Sequence, residues 1–376
     1  MSAAADIPVY AASTFVPPLT RPTSRRLLAA AHVVADPSSG GPSAPDRINL
    51  EATLAYRRHL WSWGLGVAEA MDTAQRGMGL SWAAACELIP ETIAEARACG
   101  GDLVVGAQTD HLEPGSARSL ADIEAAYEEQ VGFVEGLGGR VCLMASRELS
   151  RIARSPDDYL RVYTRVLAQV REPVIIHWLG EVFDPAIAGY WGAADLDAAA
   201  AALLDVVREN SAHIDGIKLS LLDQRRELAM RARLPEGVRL YTGDDFDYPH
   251  LIRGDGQQYS HALLGALDAI APAAATALTA LDAGDGDAFE QILEPTLPLA
   301  RKIFETPTYH YKVGVTLVAF LNGLQPHFRM LDGLESARSI LHLTDVYRCA
   351  GNAGLLVDPE LAASRMRNLL ALAGAI

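Results

Sequence analysis

A lysine near the middle of the chain is the strongest candidate for chemistry. Lys218 lies in the segment 214–223, where Ile217, Leu219 and Leu221 alternate with smaller or polar residues, as in a β-strand with two different faces. If the apolar side chains face covering helices, the lysine points the opposite way. In a closed parallel barrel that direction is the interior, where burial lowers the pKa of an amine and makes its nitrogen a nucleophile. The alternative is a lysine whose ammonium reaches water from the strand end.

Polar side chains also stand at the predicted ends of several other strands. They are His32, Asp36, Glu69, Asp72, Thr73, Asp110, His111, Ser146, Arg147, His177, Asp244 and Asp245. An acidic residue in such a position often caps the next helix, and this is the alternative for Asp36, Asp110 and Asp245.

Glu69 and His177 differ from the rest of this set. Glu69 lies inside the apolar segment 67–71, where an unpaired charge is costly, so we expect Lys218 or Arg147 to be its partner. His177 closes the apolar segment 174–176, where it is either a catalytic histidine or a hydrogen-bonded core histidine.

Strand and helix patterns alternate along the chain. Strands are predicted at 27–36, 66–72, 102–111, 140–146, 173–178, 214–223 and 238–242, with an eighth after Gly254. Intervening helices are predicted at 49–64, 81–99, 119–136 and 195–210, and another begins at Ser155. This order predicts an α/β fold, a parallel (β/α)8 TIM barrel, with a doubly wound open sheet as the alternative. In a barrel, the polar strand ends meet at one mouth, where such enzymes have their active sites.

The chain divides into three predicted parts. Residues 1–26 form a proline-rich lead-in, 27–271 the barrel and 272–376 a C-terminal helical region. Helices in the last part are predicted at 275–281, 288–304, 311–321, 336–342 and 359–373. This region is too long for one barrel helix, so we expect it to cover the barrel or to form a subunit contact.

Composition excludes several classes of partner. The 376 residues carry a formal charge of -15, which argues against binding to nucleic acid or to an anionic membrane surface. No apolar run is long enough to span a bilayer. The first residues do not resemble a signal peptide, and the four cysteines have no CxxC spacing, so we expect a cytoplasmic protein with reduced thiols.

Four segments resemble the dihydrodipicolinate synthase and N-acetylneuraminate lyase family of Schiff-base TIM barrels. Gly216-Ile217-Lys218 is similar to the family's segment around the Schiff-base lysine. Thr242-Gly243-Asp244-Asp245 and Gly254-Asp255-Gly256 follow in the family's order and spacing, and Pro173 to His177 occupies the place of the strand that ends in its proton-relay tyrosine. The resemblance covers roughly residues 27–320 and indicates a divergent branch of that family with a longer C-terminal region.

Departures from the family pattern affect the expected substrate. Met71-Asp72-Thr73-Ala74 replaces a glycine-threonine-threonine-glycine segment that helps to hold a 2-keto acid carboxylate, and His177 replaces the tyrosine. Because Asp72 would repel a carboxylate, we expect a neutral, hydroxylated or keto-sugar-like carbonyl substrate rather than pyruvate.

The resemblance implies a class I aldolase or lyase without a cofactor, in which Lys218 forms an imine, and a homo-oligomer. The expected catalytic residues are Lys218, His177 and Asp72. The expected substrate-binding residues are Glu69, Thr73, Asp110, Arg147 and Asp244.

Two other hypotheses keep the barrel but change its function. Histidines and acids at the strand ends, among them His32, Asp110, His111 and His177, can instead hold a divalent metal for isomerase, aldolase or hydrolase chemistry. No HxH or HExxH spacing supports this alternative. The other hypothesis is a non-enzymatic barrel that binds a metabolite or regulates a partner.

Overall fold

A closed barrel of parallel strands forms the centre of the protein. The computed structural model describes residues 7–40 and 47–376. Within these residues, eight strands pair in chain order, and β8 closes the barrel against β1. The strands are β1 (Leu27–Ala30), β2 (Gly66–Glu69), β3 (Leu103–Ala107), β4 (Val141–Leu143), β5 (Val174–Leu179), β6 (Ile214–Ser220), β7 (Arg239–Thr242) and β8 (His261–Leu264). The predicted (β/α)8 barrel is confirmed.

Helices connect the strands and cover the barrel. Up to β8 they are α1 (Leu50–Ser62), α2 (Trp82–Cys99), α3 (Leu120–Gly136), α4 (Arg147–Ile152), α5 (Pro156–Leu167), α6 (Leu196–Glu209), α7 (Gln224–Arg231) and α8 (Tyr248–Arg253). Side-chain caps set several of the predicted starts: Ser81 accepts a backbone hydrogen bond at α2, Ser119 at α3 and Asp195 at α6.

The alternation of side chains along the strands decides which residues reach the barrel interior. Ala68 of β2 and Ile175 of β5 belong to the interior core. Ile217 and Leu219 of β6 instead pack in the core between the sheet and the helices. Lys218, between them, therefore points into the barrel, and it is buried with 4% of its surface exposed. The orientation expected from the sequence is confirmed.

The chain after β8 is helical. Its helices are α9 (Ala266–Asp282), α10 (Gly286–Leu293), α11 (Leu297–Ile303), α12 (Lys312–Leu321), α13 (Ile340–Asn352) and α14 (Pro359–Leu372). They share one large apolar core with β1 and β8, so this region packs on the barrel. The predicted border at residue 271 falls inside α9, and the division into domains stays a prediction.

Three helices predicted in this region were wrong in their bounds. The helix expected at 275–281 begins nine residues earlier, at Ala266. The segment expected as one helix at 288–304 is two helices, separated by a 3-10 turn at 294–296 that contains Pro295. The helix expected at 336–342 begins instead at Ile340, because Ser339 caps it by accepting the His342 backbone N–H.

In the described part of the chain, no helix combines the length and apolar character needed to cross a membrane.

Candidate active site

A cavity of about 290 Å³ opens at the C-terminal end of the barrel. Its wall includes residues that follow β2, β3, β4 and β5, together with Lys312 at the start of α12. Those with titratable or charged side chains are Asp72, Arg76, Asp110, Arg147, Glu148, His177, Asp184 and Lys312. The cavity thus lies where a TIM barrel forms its catalytic site.

Lys218 and His177 are neighbours in the barrel interior. The register of β5 and β6 places them side by side, and both are buried. No described residue forms a hydrogen bond or an ion pair within 4 Å with the Lys218 amine. Nε2 of His177 lies 3.0 Å from Oγ of Ser220. Burial, together with the nearby charge of Lys218, holds the pKa of His177 well below its usual value, so this histidine is neutral at pH 7.

Asp72 supplies a negative charge that acts on both of these groups. It lies in a short 3-10 turn after β2 and is partly exposed. Burial opposes its ionisation, but the positive charges of Lys218 and Lys312 outweigh that effect and lower the pKa of Asp72 to about 2. The Tyr311 hydroxyl donates a hydrogen bond of 2.8 Å to Oδ2. The carboxylate is therefore ionised at neutral pH.

Tyr311 connects the helical region to the barrel mouth through hydrogen bonds. Its hydroxyl also forms a hydrogen bond with Oγ1 of Thr73, and its ring stacks on Phe304 at a centroid distance of 4.4 Å. Burial and the charge of Asp72 raise the pKa of Tyr311 well above its usual value, so its hydroxyl keeps its proton. Thr73 thus positions Tyr311.

Lys312 is a functional candidate that sequence reasoning missed. It is 3% exposed and lines the cavity, and its amine donates to the Tyr309 carbonyl oxygen at 3.2 Å. Burial lowers the pKa of Lys312 to about 8, although the charges of Asp72 and Asp184 partly offset this effect. The only available signal was the polar run His310-Tyr311-Lys312 before an apolar helix, which does not reveal proximity to the barrel mouth.

Asp110 and Arg147, both predicted from the sequence, reach the cavity as members of ion pairs. Asp110 accepts a 2.7 Å hydrogen bond from Nε of Arg76. Arg147 donates at 2.6 Å to Oδ2 of Asp184, and about half of its side chain is exposed. These pairs place fixed charges on the wall of the cavity.

Glu69 is directed away from the cavity. The expected partner, Lys218 or Arg147, was wrong: both carboxylate oxygens of Glu69 bind Arg57 of α1, at 2.8 and 2.7 Å, and Oε2 also accepts from Thr92 of α2. The reason is the strand alternation, because Ala68 faces the barrel interior and its neighbour must face the helices.

Asp244 and Asp245 have different positions after β7. Oδ1 of Asp244 accepts the backbone N–H groups of Phe246 and Asp247, so it stabilises the loop and is not among the described residues lining the cavity. Burial raises the pKa of Asp244 to about 6. Asp245 accepts the Ala266 N–H at 2.7 Å, and burial raises its pKa well above the usual value.

Among residues 7–40 and 47–376, no group of three or more His, Cys, Asp or Glu side chains is arranged to hold a metal ion.

The barrel and its mouth define the fold class shared with dihydrodipicolinate synthases. A putative dihydrodipicolinate synthetase from Pseudomonas aeruginosa superposes with a TM-score of 0.66 at 16% identity, covering 88% of this chain and 99% of that one. The synthase from Aquifex aeolicus superposes with a TM-score of 0.65 at 12% identity, covering 88% of this chain and 99% of that one. The chloride-inhibited synthase from Acinetobacter baumannii, complexed with pyruvate, superposes with a TM-score of 0.65 at 15% identity. The match covers 89% of this chain and 100% of that one.

Within this fold, the sequence itself identifies the family. A family model described as a protein of unknown function (DUF993) matches residues 3–375, so the chain belongs to that family. A comparison with curated protein sequences gives no match.

Proposed function

We propose that the protein is a class I aldolase or lyase that forms an imine between Lys218 and a small carbonyl substrate. The observation that carries this proposal is the position of Lys218 inside the barrel, beside a neutral histidine and without a carboxylate partner within ion-pair distance in the described structure. A buried lysine in such surroundings can attack a carbonyl carbon once it has lost a proton.

Lysine usage supports this assignment. The sequence has three lysines, Lys218, Lys302 and Lys312, and 29 arginines. Lys302 forms ion pairs with Glu305 and Asp345 away from the cavity. The other two are buried, one inside the barrel and one in the cavity wall. Arginine cannot replace lysine as a nucleophile, because its guanidinium remains protonated.

The proposed reaction starts with the Lys218 nitrogen. The Lys218 ammonium first loses a proton to a base, and its nitrogen then bonds to the carbonyl carbon. The carbonyl oxygen takes up that proton and a second one from the nitrogen and leaves as water, which gives a protonated imine. The protonated imine then accepts the electron pair of the breaking C–C bond and becomes an enamine. Cleavage turns the β-hydroxyl into a carbonyl, so its proton passes to a base, for which neutral His177 is our candidate. A proton returned to the enamine carbon and addition of water then release the second product and restore Lys218.

Asp72 favours hydroxylated substrates in this proposal. An ionised carboxylate accepts a hydrogen bond from a substrate hydroxyl, and it repels the carboxylate of a 2-keto acid. The Acinetobacter baumannii neighbour is described in complex with pyruvate. The acidic residue beside Lys218 supports a keto-sugar or hydroxyketone as the better substrate for this chain.

Borohydride trapping tests the proposal directly. The protein is incubated with dihydroxyacetone, fructose, glyceraldehyde or pyruvate and reduced, and the adduct is located by peptide mass mapping. We expect an adduct on Lys218, with a higher yield from dihydroxyacetone than from pyruvate. Because the chain has three lysines, Lys302→Met serves as a surface control and Lys312→Met as a cavity control.

Each outcome of this experiment has a distinct meaning. An adduct that persists in Lys218→Met and disappears in Lys312→Met would show that the imine forms on Lys312, and it would refute our assignment to Lys218. No adduct from any carbonyl compound would refute the imine mechanism. The expected homo-oligomer and the expected independence from a cofactor stay predictions, to be checked by light scattering and by activity after dialysis against a chelator.

A further inference from the structure

A second cavity opens at the opposite end of the barrel. It has a volume of about 550 Å³ and lies among residues that precede or begin β1, β3, β4, β7 and β8. Its cationic side chains are Arg21, Arg25, Arg26, Arg140 and Arg239. Five arginines at one cavity are unusual in a chain whose formal charge is -15.

The carboxylates nearby are already occupied. Asp102 accepts from Arg21 at 3.0 Å and from Arg26 at 2.7 Å through both of its oxygens. Asp215 accepts from Arg239 and from the Tyr241 hydroxyl. Both acids are therefore already paired with arginines.

The remaining charges leave the cavity positive. A third acid, Asp282, accepts the backbone N–H groups of Thr23 and Ser24. Five arginines against three aspartates leave a surplus of two positive charges. Arg140 has no side-chain partner in the described part of the chain, and it is exposed.

Neutral donors add to this surplus. Nδ1 of His261 accepts the backbone N–H of Arg26 at 2.9 Å, so the proton of the neutral ring lies on Nε2. Burial, together with the charges of Arg239 and Arg25, lowers the pKa of His261 to about 4, and the ring therefore stays neutral at pH 7. His261 thus adds one neutral donor, Nε2, to the cavity, while the Arg25 guanidinium contributes charge but already donates to three backbone carbonyl oxygens.

We propose that this second cavity binds a small molecule through a phosphate monoester group. Such a group carries about two negative charges at neutral pH, which matches the surplus, and arginine forks bind its oxygens in pairs. Because this end of the barrel is opposite the mouth that holds Asp72 and Lys312, the ligand would bind without competing with the carbonyl substrate. The site is independent of the function proposed above.

Calorimetric titration with inorganic phosphate, at constant ionic strength, tests the site. The variant Arg21→Ala/Arg140→Ala removes two exposed arginines and keeps the ion pair between Arg26 and Asp102. We expect its Kd for phosphate to rise about tenfold, because charge-assisted hydrogen bonds are lost. Arg208→Ala, which removes an exposed arginine on α6 that pairs with Asp205, should bind like the original protein.

Three results would overturn the proposal. Unchanged affinity in the double variant would mean that the arginines do not form the site. Loss of binding in Arg147→Ala alone would place the anion in the other cavity. Tighter binding of citrate than of phosphate would assign the site to polycarboxylates. Melting temperatures measured without phosphate show whether each variant is folded. Titration of the borohydride-trapped Lys218 adduct with phosphate shows whether binding in the second cavity is independent of the first.

Discussion

Substitution of Arg57 by methionine tests the position assigned to Glu69. Arg57 and Glu69 are both fully buried, and the carboxylate takes two of its hydrogen bonds from this arginine. The variant leaves Glu69 with the Thr92 hydroxyl and its neighbouring backbone N–H, and without a positive charge. Removing one partner of a buried ion pair costs about 3–5 kcal/mol in the free energy of unfolding.

This cost converts into a measurable shift of the melting temperature. An unfolding entropy of about 2.1 cal/mol/K per residue gives about 0.8 kcal/mol/K for 376 residues. We therefore expect Arg57→Met to lower the melting temperature by about 4–6 °C in a calorimetric scan. The double variant Arg57→Met/Glu69→Met should recover most of the loss, because no charge then remains unpaired.

The adjacent arginine provides a matched control. Arg58 forms ion pairs with Glu51 and Glu95 at the surface, so Arg58→Met should cost less than about 1 kcal/mol. Below its melting temperature, Arg57→Met should still form the borohydride adduct on Lys218, since Glu69 faces the helices. Equal melting temperatures for the two single variants would refute the reasoning, as would an adduct lost from the folded Arg57→Met protein.

Three further predictions concern other buried groups. Tyr311→Phe removes the hydroxyl that binds the turn after β2, and we expect a loss of about 1–3 kcal/mol in urea denaturation, with Tyr309→Phe as the control. Burial raises the pKa of Cys142 to about 12, so iodoacetamide at pH 8 should modify exposed Cys99 and leave Cys142 intact in the folded protein. Burial also raises the pKa of Glu227 from 4.5 to about 8, so the folded state retains a proton that the unfolded chain releases, and stability falls as pH rises through that window. The free energy of unfolding of Glu227→Gln should therefore depend less on pH between pH 6 and 8.

Local patterns in the sequence were sufficient to predict the barrel and the orientation of Lys218. A period of two fixes which face of a strand each side chain joins, and the apolar residues around Lys218 mark the outer face. The same rule applied to Glu69 would have placed it against the helices, because Val67 belongs to the outer core. The pairing with Arg57 could not be predicted in this way, because Arg57 lies on α1 and its position depends on how that helix packs.

Tyr311 and Lys312 could not be predicted in the same way. Their contribution to the site depends on where α12 meets the barrel, which is decided by the packing of α9, α12 and α13 in a shared apolar core. The sequence around α12 shows an apolar helix with a polar start, and this pattern is common to many helices that have no role in a site.

The hydrogen bond between Tyr311 and Asp72 joins residues 239 positions apart in the chain. During synthesis at about 5–20 residues per second, Asp72 therefore exists for roughly 12–48 seconds before its partner is made. Lys312 emerges only when about five-sixths of the 376 residues have been joined. An unfinished or prematurely released chain would contain Lys218 but lack Lys312, which forms part of the cavity wall. The candidate site is therefore complete only after the barrel and most of the helical region have been synthesised.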